Sequence, residues 1–149
     1  MVNKRTAFLR DQVFLFATIL PVLTALVLAA SDWSTPSINW LLATEHRLIW
    51  LILIVPVVEE LAFRGFLQTT LMKRLPLGPP LPGLSYANIL TSLVFMMLHL
   101  LTNPQTEAFL TILPSLIFGL MRERAGSVIP AILLHILYNA LYLTGCFDI

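Results

Sequence analysis

Three short stretches place polar side chains inside otherwise apolar text. PVVEELAFRGF holds Glu59, Glu60 and Arg64, FMMLHL holds His99, and LLHILYNAL holds His135 and Asn139. A carboxylate with an imidazole nearby is the equipment of a general base, provided the carboxylate is kept ionised in a poorly solvated place. The spacing says which carboxylate is available. Glu60 and Arg64 are four residues apart on a helix, the favourable glutamate-first order for an ion pair. Glu59 lies about 100° round the helix from Glu60 and about 140° from Arg64. Neutralising the arginine and fixing the helix therefore fall to Glu60, and chemistry falls to Glu59. Pro56 disturbs the backbone ladder just upstream, and Gly65 allows close helix approach. Phe95 and His99 share a face, as do His135 and Asn139. Two histidines, a carboxylate and an amide from three helices can thus meet in one cavity.

The elements that must position these residues are membrane helices. Of 149 residues, 58% are hydrophobic and 11% charged, with mean hydropathy +0.86. A soluble fold this small cannot hide so much apolar surface, and disorder is excluded because burial is easy. A net charge of +1 without a basic stripe excludes a nucleic-acid surface. The lone Cys146 makes no disulfide framework and no structural zinc site. The expected fold is all-α, a polytopic bundle of about five transmembrane helices forming one integral domain over residues 1–149. The spans run about Gln12–Ala30, His46–Met72, Tyr86–Leu101, Ala108–Met121 and Ser127–Leu143. The alternative for the first is a cleaved leader, since Val27-Leu28-Ala29 and Leu28-Ala29-Ala30 resemble a cleavage site, but its apolar run is longer than a leader's usual one. Ser31–Ala43, with two tryptophans, suits the membrane interface. The proline-rich loop Leu75–Ser85 breaks the helices. Lys4, Arg5, Arg10, Lys73, Arg74, Arg122 and Arg124 all fall on one side, which sets the amino terminus in the cytoplasm.

Each polar group has a structural explanation. Glu59, Glu60 and Arg64 can form a buried ion network, a single histidine can be a hydrogen-bonded packing residue, and Phe95 and Tyr138 read as packing. His46 and Glu107 read as solvated loop ends. Polar groups on three separate helices are harder to explain by packing, because each is costly at membrane depth.

In chain order, Glu59-Glu60-x-x-x-Arg64-Gly65, Phe95-x-x-x-His99 and His135-x-x-x-Asn139 resemble the signature motifs of the CPBP or Abi family. That family includes the type II CAAX prenyl endopeptidases and many bacterial intramembrane glutamic proteases. The resemblance covers about 46–143, and GLMRERAGSVIPAILLHILYNAL looks like the family's last helix with its basic turn. It implies an intramembrane endopeptidase acting near the carboxyl terminus of a membrane-associated protein. Glu59 and His99 would activate the attacking water, His135 and Asn139 would stabilise the oxyanion, and Glu60 and Arg64 would support them. The implied partners are a membrane-anchored protein substrate and the bilayer, with no nucleic acid, in a prokaryotic inner membrane. The favoured mechanism has no cofactor. The metal alternative is a zinc site of Glu59, His99 and His135, a known ligand set without the His-Glu-x-x-His pattern. The short chain suits the small type paired with JDVT sorting signals. Its rivals are a non-catalytic immunity or scaffold protein of the same family and, more remotely, a small ion carrier.

Overall fold

The computed structural model describes residues 7–30, 48–75, 84–102 and 107–143. The interfacial tryptophan stretch 31–43, most of the proline loop, His46, Lys4, Arg5 and Cys146 lie outside them. Every described element is helical, so the all-α class holds. A 3₁₀ turn, Ala7–Arg10, leads into α1, Gln12–Ala30. Four pieces then follow one another: π1, Trp50–Ile54; α2, Val55–Glu60; π2, Leu61–Gln68; and α3, Thr69–Arg74. Next come α4, Tyr86–Thr102; a turn, α5, Glu107–Leu110; α6, Ile112–Ala125; and α7, Ile129–Leu143.

The helices fall where the apolar runs predict, with two differences. The fourth segment starts where expected, with α5, but is interrupted at Thr111 and ends later, at Ala125. Pro114 is tolerated only near a helix start, where its missing N–H bonds nothing, and Gly126 closes α6 in the left-handed conformation, φ 63°. The second difference concerns the expected full-length spans. Among the described residues no helix is long and apolar enough to cross a membrane. The second segment is divided by π1 and π2 and carries Glu59, Glu60 and Arg64 in its middle, while α4, α6 and α7 have 17, 14 and 15 residues.

Contacts divide the chain into two compact units. The first comprises Met1–Val58 and Ile132–Ile149. Within it Asp11 caps α1, its Oδ1 accepting from the Val13 N–H at 2.9 Å. Two prolines leave carbonyls without their helical donors. Pro21 is interior to α1 and has no N–H for the Ala17 carbonyl, which accepts instead from the Tyr138 hydroxyl at 2.9 Å. In π1 the Val55 N–H reaches back to the Trp50 carbonyl, so the next bond of that pattern needs an N–H from Pro56. None exists, and the Leu51 carbonyl accepts from Asn139 Nδ2 at 2.9 Å. Consecutive residues of α7 therefore satisfy the two carbonyls that prolines release.

The second unit comprises Glu59–Ala131. Its most extensive helix contact is α4 against α6. A Cβ at Gly119 would collide with the Asn88 carboxamide, which occupies that space and donates from Nδ2 to the Leu116 carbonyl at 2.9 Å. Close approach was expected at Gly65, but a Cβ there meets nothing nearer than 3.8 Å. The tight crossing belongs to Gly119. Ser85 caps α4 by accepting the Asn88 N–H at 3.0 Å and donates its hydroxyl to Glu123.

Burial is inverted relative to a water-soluble protein. Glu60, Arg64, Gln68, Asn88, Thr91, Ser92 and Ser115 are buried. Large apolar side chains face outward, among them Leu101 at 78%, Phe66 at 73% and Val27 at 68% exposed.

Candidate active site

The first motif builds a charged core inside the second unit. Glu60 and Arg64 are both 0% exposed and form the expected ion pair, Arg64 NH1 donating to Glu60 Oε1 at 3.0 Å. A buried guanidinium is tolerated only if its donors are satisfied. Arg64 NH2 donates to Ser115 Oγ at 2.6 Å and to the Ser115 carbonyl at 3.0 Å. Three aromatic rings surround the cation, Phe95 at 4.9 Å, Phe118 at 5.6 Å and Phe63 at 5.9 Å. Glu59 is half-buried and also attracts Arg64, more weakly than Glu60 does. Glu60 is thus the principal counter-ion, as the four-residue spacing predicts, although Glu59 does not stand apart from the arginine as expected.

The same network reaches the second motif. Phe95 is buried against Phe63, with centroids 5.0 Å apart and edge-on, and its ring lies 4.3 Å from that of His99. His99 Nδ1 sits 3.0 Å from the Phe95 carbonyl. A carbonyl only accepts, so neutral His99 carries its proton on Nδ1 and presents Nε2 as an acceptor. A histidine in that tautomer can orient a water or take its proton. Phe95, expected to pack, does so against both the arginine and the imidazole.

Residues 41–141 match the family model of the type II CAAX prenyl endopeptidase Rce1-like proteins. The chain belongs to this family. No curated protein and no solved structure matches it.

In this Rce1-like chain the third motif lies on α7, in the first unit. His135 is buried, and Asn139 donates one amide hydrogen to Leu51. An amide has two N–H groups, so one remains beyond that bond. Tyr138, expected to pack, does so through its bond to Ala17. Among the described residues no three His, Cys, Asp or Glu side chains gather closely enough to hold a metal ion.

Sequence reasoning missed the residues that hold the charged core. Gln68 donates from Nε2 to Glu123 Oε1 at 2.7 Å and to the Gly119 carbonyl at 3.1 Å. Arg122 NH2 donates to Thr69 Oγ1 at 3.1 Å, and that hydroxyl donates to the Arg64 carbonyl at 2.9 Å. The signal was present as two stripes of four-residue spacing, Glu60–Arg64–Gln68 and Ser115–Gly119–Glu123. Arg64 meets Ser115, and Gln68 meets Gly119 and Glu123, so α6 runs parallel to the π2–α3 stretch.

Proposed function

We propose that this Rce1-like chain is a membrane-embedded glutamic endopeptidase that hydrolyses a peptide bond near the carboxyl terminus of a membrane-anchored protein. The observation that carries the reading is the buried Glu60–Arg64 network with Glu59 at its edge and His99 held in the tautomer that leaves Nε2 as an acceptor. Glu60 supplies the principal charge balance of Arg64, and Glu59, one residue before it, takes the role of proton acceptor. Glu59 and His99 hold a water, and Glu59 takes its proton as the oxygen attacks the scissile carbonyl. His135 and the remaining amide hydrogen of Asn139 donate to the oxyanion. Collapse of the tetrahedral intermediate breaks the C–N bond, and the proton passes to the leaving amine. Every step uses this chain's own side chains and one water.

Embedding in a bilayer is supported by the inverted burial. Exposed faces as apolar as those carrying Phe66 and Leu101 are matched by lipid, and would form an aggregation surface in water. The Rce1-like chain is read as one integral domain in a prokaryotic inner membrane, with a protein substrate anchored in the same bilayer.

The test compares protein termini by mass spectrometry in host cells carrying the wild-type chain or Glu59→Gln, at matched membrane abundance. New termini that depend on Glu59 support hydrolysis and name the substrates. Identical termini with an intact cellular phenotype would replace the protease by an immunity or scaffold protein.

A further inference from the structure

We infer that Ser115 is a positioning residue for the proposed reaction, acting on His99 through Arg64 and Phe95. The inference rests on the hydrolase reading for its kinetic consequence alone; the physical linkage stands on the contacts themselves.

Arg64 occupies the centre of the network, and its orientation is decided by three sets of forces. Glu60 holds one terminal nitrogen, NH1. The rings of Phe63, Phe95 and Phe118 favour the cation near their faces but do not fix its rotation. Ser115 holds NH2 twice, through its hydroxyl at 2.6 Å and its backbone carbonyl at 3.0 Å. It is also the residue that draws the guanidinium to α6, since Ser115 and Glu60 belong to different helices. Hydrogen bonds to an ionised donor are short and directional, about twice as strong as neutral ones. With the hydroxyl removed, the guanidinium keeps the Ser115 carbonyl and Glu60, and loses the bond that sets its plane.

The consequence travels by contact. Arg64 lies over Phe95 at 4.9 Å, and Phe95 lies 4.3 Å from the His99 ring. His99 is anchored to the same residue through the Phe95 carbonyl. A tilt of the guanidinium therefore shifts the Phe95 ring, and with it the imidazole that presents Nε2. Ser115 bonds to Arg64 and acts on His99 only through it; it determines where the water-holding imidazole stands. Small displacements of a group that holds the reacting water are costly, because about 1 Å of misplacement can lower a rate about a hundredfold.

The test uses the full chain in lipid nanodiscs, labelled with ¹⁵N at its three histidines, His46, His99 and His135, and assigned by single His→Gln variants. Ser115→Ala is expected to move the ring-nitrogen signals of His99 while those of His135 stay in place. Ser115→Cys, which keeps the volume and weakens the acceptor, is expected to move them in the same direction by less. It carries the test if Ser115→Ala loses the fold. With a peptide spanning a junction identified by the terminus comparison, kcat per folded molecule is expected to fall about tenfold to a hundredfold with KM nearly unchanged. His99 signals that stay put in both variants overturn the inference, as do His135 signals that move equally. A wild-type chain that cleaves nothing overturns the hydrolase reading, and the histidine spectra still decide for or against the clamp.

Discussion

Arg64 makes one guanidinium serve three purposes: it neutralises Glu60, ties π2 to α6, and gives Phe95 a cation to lie against. The cost of burying it is visible in the atoms left over, since its Nε has no hydrogen-bond partner among the described residues. A buried ion pair contributes little net stability, yet breaking one is expensive because the surviving charge stays desolvated. Arg64→Met is therefore expected to destabilise the fold by about 3–5 kcal/mol. The double variant Glu60→Leu with Arg64→Met is expected to recover most of that loss, because no charge is then stranded. Unfolding in detergent, followed by helical circular dichroism, measures both. The Glu60–Arg64 pairing was legible from a spacing of four residues. Ser115 was not, because a serine in an apolar run looks like any small residue until the arginine it accepts from is known.

At the scale of the element, proline and glycine set the local geometry. Pro56 removes the N–H that π1 needs for Leu51, and the Asn139 side chain supplies the replacement. That exchange gives Asn139 a structural role, which can be separated from its proposed chemistry. Asn139→Ala is expected to lower the melting temperature in the wild-type background. It should cost much less in Pro56→Ala, where residue 56 again has an N–H to offer. If Asn139 also donates to the oxyanion, the Pro56→Ala, Asn139→Ala double variant is stable and still slow in turnover. Full turnover in that double variant would leave Asn139 a structural role alone.

Gly119 makes the parallel claim for α4 against α6. Gly119→Ala forces its Cβ into the Asn88 carboxamide and is expected to cost about 1–3 kcal/mol. Adding Asn88→Ala, which clears the space, should reduce the increment due to Gly119→Ala. Melting of the four chains of that cycle tests it. The sequence pointed to glycine-mediated approach and chose Gly65. The tight glycine is recognisable only once its partner helix is known, since a glycine's neighbours are set by tertiary packing.

For the whole molecule, what was legible was whatever depends on period and composition. The limits of α1 and the starts of α4 and α7, the last within two residues, follow from apolar runs and the proline-rich loop, and the three motifs stood out as polar groups in apolar text. What was not legible depends on which helices meet. The stripe of Asn88, Ser92, Phe95 and His99 along α4 is polar at one end and aromatic at the other, and its sense appears only when α6 and π2 are placed against it. The π-helical stretches also escaped sequence reading, because hydropathy does not distinguish i+5 from i+4 bonding. They divide the second segment around the carboxylates, where such distortions commonly accompany function.

The central claim is that Glu59 activates water for peptide hydrolysis, and reconstitution tests it most directly. The purified wild-type chain and Glu59→Gln are placed in lipid vesicles with a peptide spanning an identified junction, in water enriched in ¹⁸O. The account predicts that the wild type releases a product with one ¹⁸O in its new carboxyl terminus. Glu59→Gln, equally folded, should be slower by about a hundredfold to ten-thousandfold, the usual contribution of a general base. Cleavage by Glu59→Gln at the wild-type rate would contradict it.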